Sequence, residues 1–269
     1  MRPPDHWFGA GRTETGHVRP TNQDAFAVLN DRMVWVVADG MGGHPAGDVA
    51  ARMAVAAVAQ AAGAFFPPEC RATDDPCHLL SEWLIAANRD IHEQAQAQPG
   101  LTGMGTTIVA MAITCAPAPV AHITHLGDSR AYLYRDGTLR QLTRDHTLIE
   151  KYLRSGLIDE AQSKTHPERH VLTQALGIER HVTPTKTSIP LQLEDRLLLC
   201  TDGLTKMLDD REIAARLSDA ETDPSRLRDA LIDRALDRGG EDNVTVIVCM
   251  RVDRPTAGHR AIDNTVSGM

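Results

Sequence analysis

Short apolar runs and longer segments of helical spacing succeed one another along this chain. Residues 33–38 (MVWVVA), 106–113 (TTIVAMAI), 120–126, 131–134, 138–142, 196–201 and 244–252 are apolar or alternating runs rich in β-branched residues, and they predict strands. Asp136-Gly137, between AYLYR and TLRQL, predicts a hairpin because glycine accepts the positive φ of a tight turn. Residues 48–62 are Ala-rich and apolar nearly all round, so a helix there should lie against a sheet. Residues 78–98 carry Leu80, Leu84, Ile85 and Ile91 at helical spacing. Asp223 and Pro224 supply an N-cap and a first-turn proline for a helix over 225–237, which should stop at Gly239-Gly240. Strands in adjacent runs with helices inserted between them fit an α+β fold, antiparallel sheets covered by helices, better than a strictly alternating parallel sheet.

The first dozen residues are polar and carry Gly and Pro, and the segment from about Asp253 lacks apolar periodicity. The expected organisation is a flexible N-terminus over 1–8, one compact domain over 9–252 and a disordered tail over 253–269.

Composition narrows the function classes. The chain has 269 residues, 42% hydrophobic and 24% charged, which is ordinary for a globular domain able to bury its own core. Its formal charge is −8, with 36 acidic against 28 basic residues. That balance argues against nucleic acid or an anionic membrane as the main partner, since phosphate backbones are held by excess Lys and Arg. The five cysteines form no CxxC pair and read as reduced thiols. No apolar stretch reaches the ~18 residues of a membrane span. A cytoplasmic protein is expected.

The chemistry lies in where the aspartates fall. Strand MVWVVA runs into Asp39-Gly40, VAHITHLG into Asp128-Ser129-Arg130, and RLLLCT into Asp202-Gly203. Asp242-Asn243 stands at the mouth of VTVIVCM, and Asp24 follows the turn-like RPTNQ. Any one Asp-Gly is ordinary turn chemistry. Several at strand ends predict carboxylates gathered at one rim, where they repel and lose solvation, and hard divalent cations such as Mg²⁺ or Mn²⁺ relieve both costs. Other chemistries lack their signatures: there is no GxxxxGK[ST], HExxH, GxSxG or kinase set, and no cysteine has an arginine six positions on. His122 and His125, at odd spacing on one strand, should point to opposite faces. His166 and His170, four apart around Pro167, read as a solvated loop.

Taken in order, the motifs Thr15-Gly16-His17-Val18-Arg19, Asn22-Gln23-Asp24-Ala25, Val37-Ala38-Asp39-Gly40-Met41-Gly42-Gly43-His44 and Gly103-Met104-Gly105-Thr106-Thr107 open a series. Gly127-Asp128-Ser129-Arg130, Leu142-Thr143-Arg144-Asp145-His146, Thr201-Asp202-Gly203-Leu204 and Asp242-Asn243-Val244-Thr245 complete it. In this order and spacing the chain resembles the metal-dependent protein serine/threonine phosphatases, the type 2C or PPM family, in its short bacterial branch. The resemblance covers about 9–252.

The resemblance implies an αββα sandwich with a metal centre in a cleft at one end, holding two Mn²⁺ or Mg²⁺ ions and a weaker third. By that likeness Asp39 bridges two metals, the Gly40 carbonyl is a ligand, and Asp202 and Asp242 are the remaining direct ligands. Asp24 acts in the outer sphere, Asp128 joins Asp202 around the third ion, and Arg19 grips substrate phosphate. The implied reaction is hydrolysis of phosphoserine and phosphothreonine on proteins without a phosphoenzyme, opposing a bacterial kinase, by a monomer. Two departures stand out. Met41 replaces a histidine that many eukaryotic relatives use as proton donor, leaving His44 or a metal-bound water as a substitute, and Gln23 stands where others carry Glu, which predicts weaker metal binding. The segment 145–177 matches a mobile flap in bacterial relatives and is expected to influence substrate choice. A catalytically silent phosphoprotein-binding module on the same fold is the alternative, opposed by the complete set of carboxylates; a single dedicated phosphoprotein substrate fits the same residues.

Overall fold

The computed structural model describes residues 7–41, 46–65, 75–115 and 118–252. Strands β1 (Trp7–Glu14), β2 (Asp24–Leu29), β3 (Val34–Met41), β4 (Gly105–Thr106), β5 (Ile108–Thr114) and β6 (Val120–Leu126) come first, with helices α1 (Gly47–Phe65) and α2 (Pro76–Ala97) between β3 and β4. β7 (Arg130–Arg135), β8 (Thr138–Gln141), α3 (Leu148–Arg154), α4 (Glu160–Thr165), β9 (Thr185–Pro190) and β10 (Arg196–Cys200) follow. Helices α5 (Asp202–Met207), α6 (Asp210–Leu217) and α7 (Pro224–Asp237) then lead to β11 (Val244–Arg251).

One sheet runs β1-β11-β10-β7-β8 and the other β2-β3-β5-β6-β9, with β4 paired to the end of β3. Every named pairing is antiparallel. Strand parity sorts the apolar side chains into layers. Val34, Val36 and Ala38 of β3 meet α1 and α2, whereas Trp35 and Val37 join Phe26, Leu197, Leu199 and Ile247 between the sheets. Leu198, Cys200, Val246 and Val248 face the other way, onto α5, α6 and α7. The result is helix, sheet, sheet, helix, the αββα arrangement expected.

Most predicted elements are present. Asp223 caps α7 through Ser225 N at 2.8 Å, with Pro224 in the first turn. Asp136 and Gly137 both have positive φ, 50° and 78°, as the β7–β8 hairpin requires. The predicted strand 106–113 is broken at Thr107 into β4 and β5.

One expectation is corrected. Trp7 and Phe8, assigned to a flexible N-terminus, lie in β1, which pairs along its whole length with β11, and Trp7 is 2% exposed. β1 escapes a hydropathy reading because of residues such as Gly9, yet a side chain there would run into the Trp35 indole and Cys249 Sγ of the inter-sheet layer. β2 and β9 were also not predicted; β9 (TKTSIP) is a polar edge strand. The expected tail over 253–269 lies outside the described residues.

The segment 145–177 contains α3 and α4, and Gly156 after α3 has φ 70°. Its two roots are tied to the sandwich: His146 N donates to Gly127 O at 3.0 Å, and Thr106 and Leu176 exchange backbone hydrogen bonds at 3.1 and 2.9 Å. No helix among the described residues is long and apolar enough to cross a membrane.

Candidate metal centre

The period-2 alternation that fills the inter-sheet layer also places the acids. Continuing Phe26 and Val28 back along β2 brings Asp24 onto the inter-sheet face, and continuing Trp35 and Val37 along β3 brings Asp39 there, directly opposite Asp24. Thr245 shares a face with Ile247 on β11, and its hydroxyl donates to Asp24 Oδ2 at 2.6 Å. Thr201, capping β10, donates to the same oxygen at 2.8 Å.

The Asp39 backbone is held from several sides. Thr107 N and Thr106 Oγ1 both donate to Asp39 O at 2.9 Å, and Asp39 N donates to Thr107 Oγ1 at 3.2 Å. Gly40 N donates to Gln23 O at 3.1 Å, and a side chain at Gly40 would run into the Gly47 carbonyl at the start of α1. Gln23 N is in turn anchored on Asn243 Oδ1 at 2.9 Å.

Asp202 opens α5, and Asp242 precedes β11 from the adjacent strand end. Lys206 Nζ bridges them, 2.6 Å from Asp202 Oδ2 and 2.8 Å from Asp242 Oδ2. Arg19 closes on Asp242 with Nε 2.7 Å from Oδ1 and Nη2 2.9 Å from Oδ2. Asp128 follows the positive-φ Gly127, and its neighbour Ser129 is fixed by Thr107 Oγ1 at 2.7 Å.

Electrostatics binds these groups into one cluster. Burial pushes the Asp24 carboxyl up to about 7, with Asp202 and Asp242 adding to the shift and the two threonine hydroxyls opposing it. Burial also raises Asp39 well above the usual carboxylate range, reinforced by Asp24, Asp202 and Asp128 and opposed by Lys206. Asp128 is pushed up to about 7 by burial, with Asp202 and Asp145 contributing. Burial would raise Asp242 too, but the hydrogen bonds from Arg19 and Lys206 hold it below its ordinary value.

Four buried side-chain polar atoms among the described residues lack a hydrogen-bond partner, and two of them are Asp24 Oδ1 and Asp202 Oδ1. An anionic oxygen sealed from water without a donor is costly, and in an all-oxygen setting a hard cation is its natural partner. The residues therefore fit divalent ions. Among the described residues no three His, Cys, Asp or Glu side chains form a ready cage. Asp202 and Asp242 are drawn instead onto Lys206 and Arg19.

The structure thus brings together Arg19, Asp24, Asp39, Gly40, Asp128, Asp202 and Asp242. His44 lies outside the described residues. Lys206, Thr201 and Thr245 are additions. The Asp202–Lys206 spacing of four on a helix was the available signal for the lysine. His170, read as a solvated loop residue, is exposed, yet close enough to the centre for Lys206, Asp202 and Asp242 all to act on it; burial, Arg169 and Lys206 lower its pKa while the two carboxylates raise it. His122 and His125 do face opposite ways: His122 bonds Thr114 and Ser188, and His125 stacks on His146 at 4.7 Å.

Two antiparallel sheets between helix layers, with acids collected at one end of the inter-sheet layer, define a metallohydrolase-like site. The family model of protein phosphatase 2C matches residues 13–234. The chain belongs to the protein phosphatase 2C family. A serine/threonine phosphatase, Stp, of Listeria monocytogenes is 38% identical over 244 residues, covering 89% of this chain and 94% of the relative. The serine/threonine protein phosphatase PstP of Mycobacterium tuberculosis is 37% identical over 244 residues, which is 91% of this chain but 45% of PstP. A crystal structure of PstP superposes with a TM-score of 0.81 at 35% identity, covering 91% of this chain and 98% of that one. The PstP catalytic domain in complex with two manganese ions gives 0.78 at 35% identity, covering 92% of this chain and 99% of that one. The chain is a protein serine/threonine phosphatase, and metal dependence is general to its family. A silent binding module is not favoured.

Proposed function

We propose that this chain dephosphorylates phosphoserine and phosphothreonine proteins at the centre just described, with Asp39, the Gly40 carbonyl, Asp202 and Asp242 holding two Mn²⁺ or Mg²⁺ ions. Asp128 with Asp202 offers a third, weaker position. The observation that carries this reading is the pair of orphaned buried carboxylate oxygens, Asp24 Oδ1 and Asp202 Oδ1, beside three carboxyls raised by burial and mutual repulsion. When bound, such ions polarise the phosphoryl oxygens and activate water at neutral pH.

The chain's own residues do the rest. Arg19, half in solvent, presents a planar fork matched to two phosphate oxygens. Asp24, fixed through Oδ2 by Thr201 and Thr245, keeps its buried Oδ1 without a partner and able to accept a hydrogen bond. Cys200 and Cys249 are not poised as nucleophiles: Cys200 is buried, its thiol pushed up to about 12 by burial, and Cys249 is likewise raised. Hydrolysis is a single displacement yielding inorganic phosphate and a free hydroxyl, and His44 supplies the proton that Met41 cannot.

A protein kinase acting on the same substrates is the proposed counterpart, and a cytoplasmic monomer the proposed state, in keeping with four free cysteines among the described residues. The test is hydrolysis of p-nitrophenyl phosphate and a phosphothreonine peptide with and without Mn²⁺ or Mg²⁺, beside Asp39→Asn. Turnover that needs metal and disappears in the variant supports the reading. Turnover that persists in chelator rejects it.

A further inference from the structure

Among the described residues, Lys206 is the one cation that touches two of the carboxylates assigned to metal. Its Nζ lies 2.6 Å from Asp202 Oδ2, one helical turn back, and 2.8 Å from Asp242 Oδ2 across to the next strand end. The two acids differ in what this leaves open. Asp202 keeps Oδ1 buried and without a partner, free to meet a cation. Asp242 has no such oxygen: Oδ1 accepts from Arg19 Nε and Asn243 N, and Oδ2 from Arg19 Nη2 and Lys206 Nζ. A divalent ion bound through Asp242 must therefore take over an oxygen from a nitrogen donor.

Arg19 and Lys206 differ in how readily they yield. The Arg19 side chain is 53% exposed on a loop and can turn to a phosphate, whereas Lys206 is 30% exposed and enclosed by both acids. An ammonium held this close to a divalent ion repels it through poorly screened surroundings.

We propose that Lys206 is a resident competitor for the metal centre, which holds Asp202 and Asp242 together and sets the divalent-ion concentration at which the centre fills. The inference rests on the metal-centre reading above. Lys206 is thus a positioning residue that acts through the two acids.

The test is calorimetric titration of the full chain with Mn²⁺, for wild type, Lys206→Met and Lys206→Arg, with thermal unfolding in chelator as a second readout. Lys206→Met should bind Mn²⁺ about tenfold more tightly. It should also unfold at lower temperature in chelator, because two neighbouring acids lose their shared counter-charge. Lys206→Arg, which keeps the charge, should stay within about threefold of wild type. Equal or weaker binding by Lys206→Met overturns the proposal, as does equal tightening in Lys206→Arg. Should wild type and variants all fail to bind Mn²⁺, the metal-centre reading falls and this inference with it. Equal binding by all three leaves the centre standing and removes only Lys206 from its control.

Discussion

Asp24 and Asp39 stand directly opposite each other in the β2–β3 ladder, and because Gly40 N bonds to Gln23 O one step on, theirs is the closer, non-hydrogen-bonded kind of pair. Like charges so placed destabilise a sheet. The fold tolerates them by spending Thr201 and Thr245 on Asp24 and by raising both pKa values.

Neutralising one of them should separate stability from activity. Asp39→Asn is expected to lose at least about 100-fold in metal-dependent hydrolysis. In chelator the same variant should unfold about 3 °C higher, since it removes a buried repulsion. Scanning calorimetry and p-nitrophenyl phosphate assays on one preparation check both.

Arg19→Lys should raise KM for a phosphothreonine peptide about tenfold while changing kcat less, because an ammonium cannot reproduce the two-pronged grip on phosphate. Steady-state kinetics at saturating Mn²⁺ decide the matter; a fall in kcat alone would place Arg19 elsewhere in the reaction.

His146 at the flap root supplies a pH dependence. Burial, the stacked His125 and Lys151 pull its pKa down to about 4, against Asp145. The folded state thus prefers the neutral ring, and stability falls as pH drops from the unfolded value near 6.5 towards 4. The loss should be about 1–2 kcal/mol after allowance for screening by water. In His146→Gln this part of the acid-side decline should vanish from urea-unfolding midpoints measured between pH 7 and 4.

Trp35 is fully buried between the sheets, with Nε1 donating to Asn30 Oδ1 at 2.9 Å. Trp35→Ala should cost about 3–5 kcal/mol in denaturant-unfolding free energy, and it also removes one of two donors to Asn30 Oδ1, leaving Gly9 N.

Much of this molecule could be read from its residues, for definite reasons. β3, β10 and β11 are buried on both faces and are therefore continuous apolar runs, and the acids that end or flank them stand out by contrast. β1 hides behind glycines whose value lies in letting an aromatic from the other sheet approach. α6 depends on an Asp209 cap rather than on a long apolar stripe. At the centre, Thr201 and Thr245 look like ordinary β-branched strand residues, and Lys206 like a solvated helix face. Their partners come from distant segments, which no local pattern encodes.

Among the described residues, the first strand finds its partner only in the last. β1 pairs with β11, and the centre draws Asp24 from one end of the domain and Asp242 from the other. During synthesis the edge of β11's future neighbour, and with it an apolar sheet face, must wait until nearly the whole domain has left the ribosome. Folding of this phosphatase is thus dominated by late, long-range closure and should be slow for its size. It also means that a nascent chain halted before Asp242 has neither a finished sheet nor a complete set of acids, so activity is withheld until β11 has been made.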